Sequence, residues 1–313
     1  MASPAGTSVQ VPRQDIVRSI LVGVDTRGRS ASALVWAVEE AERNGSALTL
    51  ITARPTPGGD HDPMGQHDLA ALARRLTLAD IRTREVVGQP VEELLRAALD
   101  VDLLALGCRS MRPAQRMVVG STSHAVARWS PVPVVVVPET WTQPSMAADP
   151  ILVGLRPSPR DTAVTDDPDR EVLDFAFARA AALQVPLVAV SAWEVPTGLA
   201  WCADEIDRVR SGYHDALQER LRPWRTSHPE VEVVSRSVAE EPHQALLNGS
   251  RVAQLVVVGR HHTRALSGQL GSTARGVLRR STRPVAVVPA GPRAALRRDV
   301  HRVLAEQPWA PMY

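Results

Sequence analysis

Short, almost uniformly apolar runs alternate with helical patterns along this chain. Residues 19–25 form the first run. Leu34, Val35, Val38 and Ala41 then recur at helical spacing, and Asn44-Gly45 reads as a helix C-terminus. A second apolar run covers residues 47–52. After a weaker segment, a strand is predicted near residues 82–87 and a helix from Pro90, with Val91, Leu94, Leu95 and Ala98 as its apolar positions. Residues 103–106 and 134–137 are the last strands of this half, joined through a helix around 122–129. Strands that are apolar on both faces belong in a sheet covered by helices on both sides, hence a mainly parallel one. Right-handed crossovers then give a doubly wound α/β domain.

The pattern is written twice. Ile20-Leu21-Val22-Gly23-Val24-Asp25 recurs as Ile151-Leu152-Val153-Gly154-Leu155-Arg156. Leu34, Trp36, Ala37 and Ala41 match Leu173, Phe175, Ala176 and Ala180, and Leu48-Thr49-Leu50-Ile51 matches Leu187-Val188-Ala189-Val190. Pro90 and Gly107 match Pro242 and Gly259; Gly120-Ser121-Thr122 matches Gly271-Ser272-Thr273; Pro133 and Pro138 match Pro284 and Pro289. The offset changes only between elements, as in a duplicated domain. The expected organisation is an N-terminal tail (1–15), a first domain (16–140), a linker (141–149), a second domain (150–290) and an Arg-rich, helical C-terminal tail (291–313). Flat, Val-rich closing strands are an aggregation hazard if left unpaired. Residues 134–137 and 285–288 are therefore expected to pair with each other within the chain about a pseudo-twofold axis, with a homodimer of the whole chain left open.

Composition narrows the class. The 313 residues are 44% hydrophobic and 22% charged, as in an ordinary globular protein. All 36 basic residues are Arg; residues 1–145 carry 15 of them against 15 acids, and the rest 21 against 19. Balanced, interspersed charge argues against a nucleic-acid partner. No apolar run approaches the roughly 18 residues of a membrane span, and residues 1–15 lack the apolar core of a signal peptide. Cys108 and Cys202 are the only cysteines and stand in no metal-ligand spacing, so a cytoplasmic, reducing location is expected.

Candidate chemistry sits at strand ends, where doubly wound sheets bind ligands. Asp25 ends the first strand and Gly107 the fourth; a connection of 12 residues follows, and Gly120-Ser121-Thr122 opens the next helix. Gly admits close backbone approach, and a helix N-terminus favours an anion such as phosphate. A simple helix cap would leave the same residues. Arg109, Arg112 and Arg116 in the connection are equally consistent with a phosphate clamp and with a solvated loop. Adjacent His261-His262 point apart and do not suggest a metal site. Without Lys, no Walker A loop is available, and no Gly-x-Ser-x-Gly occurs. Trp36 and Trp193 read as core residues.

These residues resemble the universal stress proteins in their tandem form, over residues 16–138 and 150–289. The family motif is Gly, two residues, Gly, nine residues, Gly, then Ser or Thr. The first repeat has Gly107, Ser110 in place of the second Gly, nine intervening residues, then Gly120-Ser121. Asp25 stands where ATP-binding members contact adenine. The resemblance implies two tandem doubly wound parallel-sheet domains, of the type shared with adenine nucleotide alpha-hydrolases. It also implies a stress-response or signalling module binding ATP or a related adenine nucleotide, with accompanying Mg left open. The nucleotide-binding candidates are Asp25, Gly107, Arg109, Ser110, Gly120, Ser121 and Thr122. No catalytic residue is assigned and no designed turnover is expected, slow ATP hydrolysis being left open.

The second repeat departs further. Arg156 replaces the Asp, a longer loop rich in Pro and Asp follows, His262 replaces the middle Gly, and the loop before Gly271 is one residue shorter. An Arg side chain here is expected to occupy volume that adenine needs. Gly259, Gly271, Ser272 and Thr273 are thus read as a degenerate second site, of which the last three also serve as a helix start. The alternative from another class is a nucleotide-free scaffold with both sites decayed. Ser110 favours it, because a side chain where Gly takes a left-handed conformation costs about 1–2 kcal/mol.

Overall fold

The computed structural model describes residues 17–25, 30–54, 80–108, 121–142, 149–157, 167–193, 203–260 and 270–306. The first repeat contributes β1 (Ser19–Gly23), α1 (Ala31–Asn44), β2 (Ala47–Arg54), β3 (Ile81–Val87), α2 (Pro90–Ala97), β4 (Leu103–Cys108), α3 (Ser121–Trp129) and β5 (Val134–Pro138). The second contributes β6 (Ile151–Leu155), α4 (Arg170–Leu183), β7 (Leu187–Ala192), α5 (Ala203–Ser227), β8 (Val233–Val238), α6 (Pro242–Ser250), β9 (Leu255–Arg260), α7 (Ser272–Arg280) and β10 (Val285–Pro289); α8 (Arg293–Glu306) follows.

The ten strands among the described residues form one sheet, in the order β3-β2-β1-β4-β5-β10-β9-β6-β7-β8. Pairing is parallel within each repeat. The repeats meet where β5 pairs antiparallel with β10, Val135 opposite Ala286. Because side chains alternate across a strand, the Val-rich runs feed two cores. Ile20, Val135, Val153 and Ala286 face one, under α1 and α4. Leu21, Val134, Leu152 and Val285 face the other, with Val126 of α3 and Val277 of α7. Trp141, which the sequence reading placed in the linker, is buried in the first of these cores together with Trp36, and Trp193 is buried just past the end of β7.

Helix ends show how the two copies diverged. Gly45 closes α1 in the left-handed conformation, φ 64°, its N–H donating to the Ala41 carbonyl. At the matching position α4 ends on Gln184, φ 54°, the one non-Gly residue with positive φ among those described. Gln184→Gly should therefore stabilise the chain by about 1 kcal/mol, measurable by denaturant unfolding; no gain would show that the side chain compensates for the strain.

Helix α5 lies within the longer connection of the second repeat. Its Leu217, Leu221 and Trp224 are buried, the last donating from Nε1 to Asp174 Oδ1 at 2.7 Å. Helix α8 crosses back to the first repeat, where Arg293 Nη1 meets Asp102 Oδ1 at 2.9 Å and Arg297 donates to the Leu99 carbonyl.

On the α3 and α7 side of the sheet, burial holds His124 below its usual range, helped by the positive charges of Arg279, Arg128 and Arg275. Unfolding releases this His to its ordinary value, so below about pH 6.5 the unfolded state binds more protons and stability falls with pH. His124→Gln should flatten that decline in melts across pH 5 to 7. An unchanged slope would show that other groups set it.

Candidate functional site

In both repeats the first strand lies between the second and the fourth: β1 between β2 and β4, β6 between β7 and β9. Connections leave toward opposite sides, so a crevice opens at the carboxyl ends, where such sheets bind ligands. Asp25 and Gly107 flank this crevice in the first repeat; Arg156 and Gly259 flank it in the second.

In the first repeat the chain end of β1 is tied to the start of α1. Ser30, the N-cap residue, accepts the Asp25 N–H on Oγ at 2.9 Å. Its own N–H and hydroxyl donate to Asp25 Oδ1 at 3.2 and 3.1 Å. Two donors on one oxygen fix the orientation of a half-buried carboxylate. Thr52 of β2 donates to the Val24 carbonyl at 3.1 Å, which steadies the neighbouring backbone. On the other side, the Gly107 carbonyl accepts from Ser123 Oγ at 2.7 Å, coupling the end of β4 to the first turn of α3. Ser121 and Thr122 begin that helix. Cys108 follows Gly107, and burial together with the charge of Glu139 pushes its thiol up to about 11, which leaves it unreactive at neutral pH. Arg109, Ser110, Arg112, Arg116 and Gly120 lie outside the described residues, as do His261 and His262.

Sequence reasoning missed Ser30 and Ser123. The available signals were a Ser five residues after Asp25 at a helix start, and a third hydroxyl in Ser121-Thr122-Ser123. The matching position to Ser123 is Ala274, so the second repeat lacks this tie.

The second repeat fills the place of the Asp25–Ser30 pair with a buried ion cluster. Asp169, N-cap of α4, accepts the Arg156 N–H on Oδ2 at 2.9 Å, the role Ser30 plays for Asp25. Arg220, reaching in from α5, bridges Asp167 and Asp169, its Nη2 2.8 Å from Asp169 Oδ2, and donates from Nη1 to the Arg156 carbonyl at 2.7 Å. Side-chain exposures are 8% for Arg220, 2% for Asp167 and 0% for Asp169. The expected occupant is therefore corrected. The Arg156 side chain is 47% exposed, its Nε 3.6 Å from Asp169 Oδ1, and the buried guanidinium is that of Arg220. Asp167 and Asp169 supply the countercharge that makes burial of that cation affordable.

Gly259 is buried in β9 opposite Val288. Where the first repeat has Cys108, the second has Arg260, buried, its guanidinium pulled down to about 10 by burial and donating to the Ser130 carbonyl across the seam. Gly271 is the N-cap of α7 with no side-chain capping bond; Ser272 is exposed and Thr273 half-buried. A cleft of about 570 Å³ lies elsewhere, between Val17 and Asp102 at the amino ends of the first repeat's strands and Phe175, Pro289 and Arg293 of the second. Among the described residues no group of three or more His, Cys, Asp or Glu could hold a metal, and no helix is long and apolar enough to cross a membrane.

The sequence pattern of the universal stress protein family matches residues 17–138 and 162–289. A universal stress protein of Mycolicibacterium smegmatis is 30% identical over 298 residues, covering 86% of this chain and 96% of the relative. One from Mycobacterium tuberculosis is 28% identical over 290 residues, with the same shares, 86% and 96%. The structure of a universal stress protein from Archaeoglobus fulgidus shares the fold at TM-score 0.60 and 20% identity, over 87% of this chain and 96% of that one.

Proposed function

Since the chain belongs to the universal stress protein family, we propose that it is a stress-response module holding one adenine nucleotide of the ATP type in its first repeat, with a degenerate site in its second. The observation that carries this reading is the contrast between the two β1-type strand ends. In the first, an oriented carboxylate stands beside the crevice; in the second, the Arg220 cluster occupies the equivalent position. Asp25 would accept from the exocyclic amino group of adenine. The phosphates would lie toward Gly107, Gly120 and the start of α3, where unpaired N–H groups and the helix dipole favour negative charge. Arg109 and Ser110 would line the same connection. Magnesium, where it accompanies the nucleotide, would be held mainly by the phosphates and water rather than by a protein cage.

We assign no turnover to this site. Among the described residues no cluster of metal ligands stands ready to neutralise a transferring phosphoryl group, and no general base is assigned beside it; steady hydrolysis above about 1 per second would contradict the assignment. Mass spectrometry of small molecules released on denaturing the purified chain tests the binding reading. Adenine nucleotide at no more than one per chain is expected. No released nucleotide, together with no uptake of added ATP, would leave the nucleotide-free scaffold as the correct description.

A further inference from the structure

The seam between the repeats brings equivalent residues face to face. Val135 and Ala286, matched at an offset of 151, are strand partners, and the flanking pairs are reciprocal: Val136 with Val285, Val134 with Val287. This is an isologous contact, with the pseudo-twofold passing between Val135 and Ala286. Above it lie α1 and α4, matched at an offset of 139. Leu34, Trp36, Ala37 and Ala41 and their counterparts Leu173, Phe175, Ala176 and Ala180 are all buried and apolar. The same offset equates Glu40 with Arg179.

These two are bonded to each other. Arg179 Nη1 and Nη2 donate to the two oxygens of the Glu40 carboxylate, and Asn44 also donates to Glu40. Glu40 is 0% and Arg179 5% exposed. A side chain that reaches its own symmetry counterpart stands at the twofold, so its charge decides what the surface can pair with. Two first repeats joined through this seam would bury Glu40 against Glu40. Two second repeats would bury Arg179 against Arg179. Like charges facing each other in a dry interface are strongly disfavoured, whereas the bidentate Glu–Arg pair satisfies both.

We propose that Glu40 and Arg179 form a charge lock: the seam of the first repeat accepts the second repeat and rejects a second copy of itself, so that the β5 and β10 edges are closed to exchange with other copies of the chain. The apolar residues around the lock are alike in the two repeats and carry no such discrimination. Arg260 donates to a backbone carbonyl, that of Ser130, whose counterpart Ser281 is also Ser, and Arg293 meets Asp102 at the exposed rim; Glu40 and Arg179 supply the buried part that depends on sign. On the other side of the sheet Arg128 is matched with Arg279, of the same sign, and His124 with Arg275, so opposite charge is not a general consequence of the duplication.

The test cuts the folded full-length chain. A protease site inserted between residues 143 and 148 is cleaved after purification. Isotopically light and heavy preparations are then mixed, unfolded together in denaturant and refolded by dialysis. Native mass spectrometry counts the pairs, and scrambling of light with heavy halves confirms that they came apart. Wild-type halves should recover as first-with-second pairs. In Glu40→Met/Arg179→Met, pairs of like halves should rise by at least about tenfold, because neutral packing no longer penalises them. Like pairs as frequent in wild type as in the neutral variant would overturn the proposal. In the uncut chain, Glu40→Arg and Arg179→Glu should each lower the melting temperature, and the double reversal should restore most of the loss. A double reversal no better than the single ones would also overturn it, since the lock depends on opposite sign and not on which side carries it.

Discussion

Glu40→Ala should destabilise the folded chain by about 3–5 kcal/mol, the usual cost of removing one partner from a buried ion pair. The magnitude follows from what is left behind. Arg179 is buried, its guanidinium already drawn down to about 10 by the loss of solvent, and its Nε has no hydrogen-bond partner among the described residues. Without the carboxylate the cation loses its two charge-assisted bonds and keeps only the Trp36 ring, 5.9 Å from its centre. A cation over an aromatic face recovers about 0.5–2 kcal/mol, too little to offset the exposed penalty. Removing both charges with Glu40→Met/Arg179→Met should cost far less, because packed apolar residues replace the pair without leaving a charge uncompensated. Urea unfolding of the three proteins checks this; a Glu40→Ala loss below about 1 kcal/mol would mean that water reaches the pair.

Asp25→Ala should weaken nucleotide binding by about 10- to 100-fold, the loss of one hydrogen bond to a charged acceptor at about 1.5–3 kcal/mol. The same substitution removes the acceptor for Ser30, so a fall in affinity alone would not separate recognition from a loosened helix start. Ser30→Ala makes the separation. It removes the two bonds made by the hydroxyl while leaving the carboxylate and the Ser30 N–H bond to it, and should cost about 1 kcal/mol of stability with an affinity change under about threefold. Equal affinity losses in the two variants would reassign Asp25 from base recognition to holding α1.

Much of the fold is legible in the chain because its strands are near-continuous apolar runs and its helix starts carry Pro90 and Pro242. Residues 134–137 and their counterparts need partners on both faces, and only a sheet sandwiched between helices provides them. The apolar spacing of Leu217, Leu221 and Trp224 was available for α5, but its neighbours are heavily charged and no element is predicted there. Arg220 was illegible for a different reason. Its partners, Asp167 and Asp169, lie about fifty residues away, and only the placement of α5 over the end of β6 brings the three together. Arg156 drew attention because it aligns with Asp25, yet alignment identifies the backbone position and not which side chain fills the space above it. Glu40 and Arg179 were hidden within helical stripes otherwise made of Leu, Trp, Phe and Ala, where a charge reads as a solvated position until its opposite number is found. Gln184 shows the same limit at the backbone level: a left-handed helix end is announced by Gly45 in the first repeat and by nothing in the second.

Isothermal titration of ATP into the full-length chain tests the central claim most directly, since it counts sites as well as measuring affinity. One site per chain is expected, abolished or sharply weakened by Asp25→Ala and nearly unchanged by Arg156→Ala, whose side chain points partly to solvent beside Asp169. Two equivalent sites per chain, or a single site whose affinity is unchanged by Asp25→Ala, would contradict it.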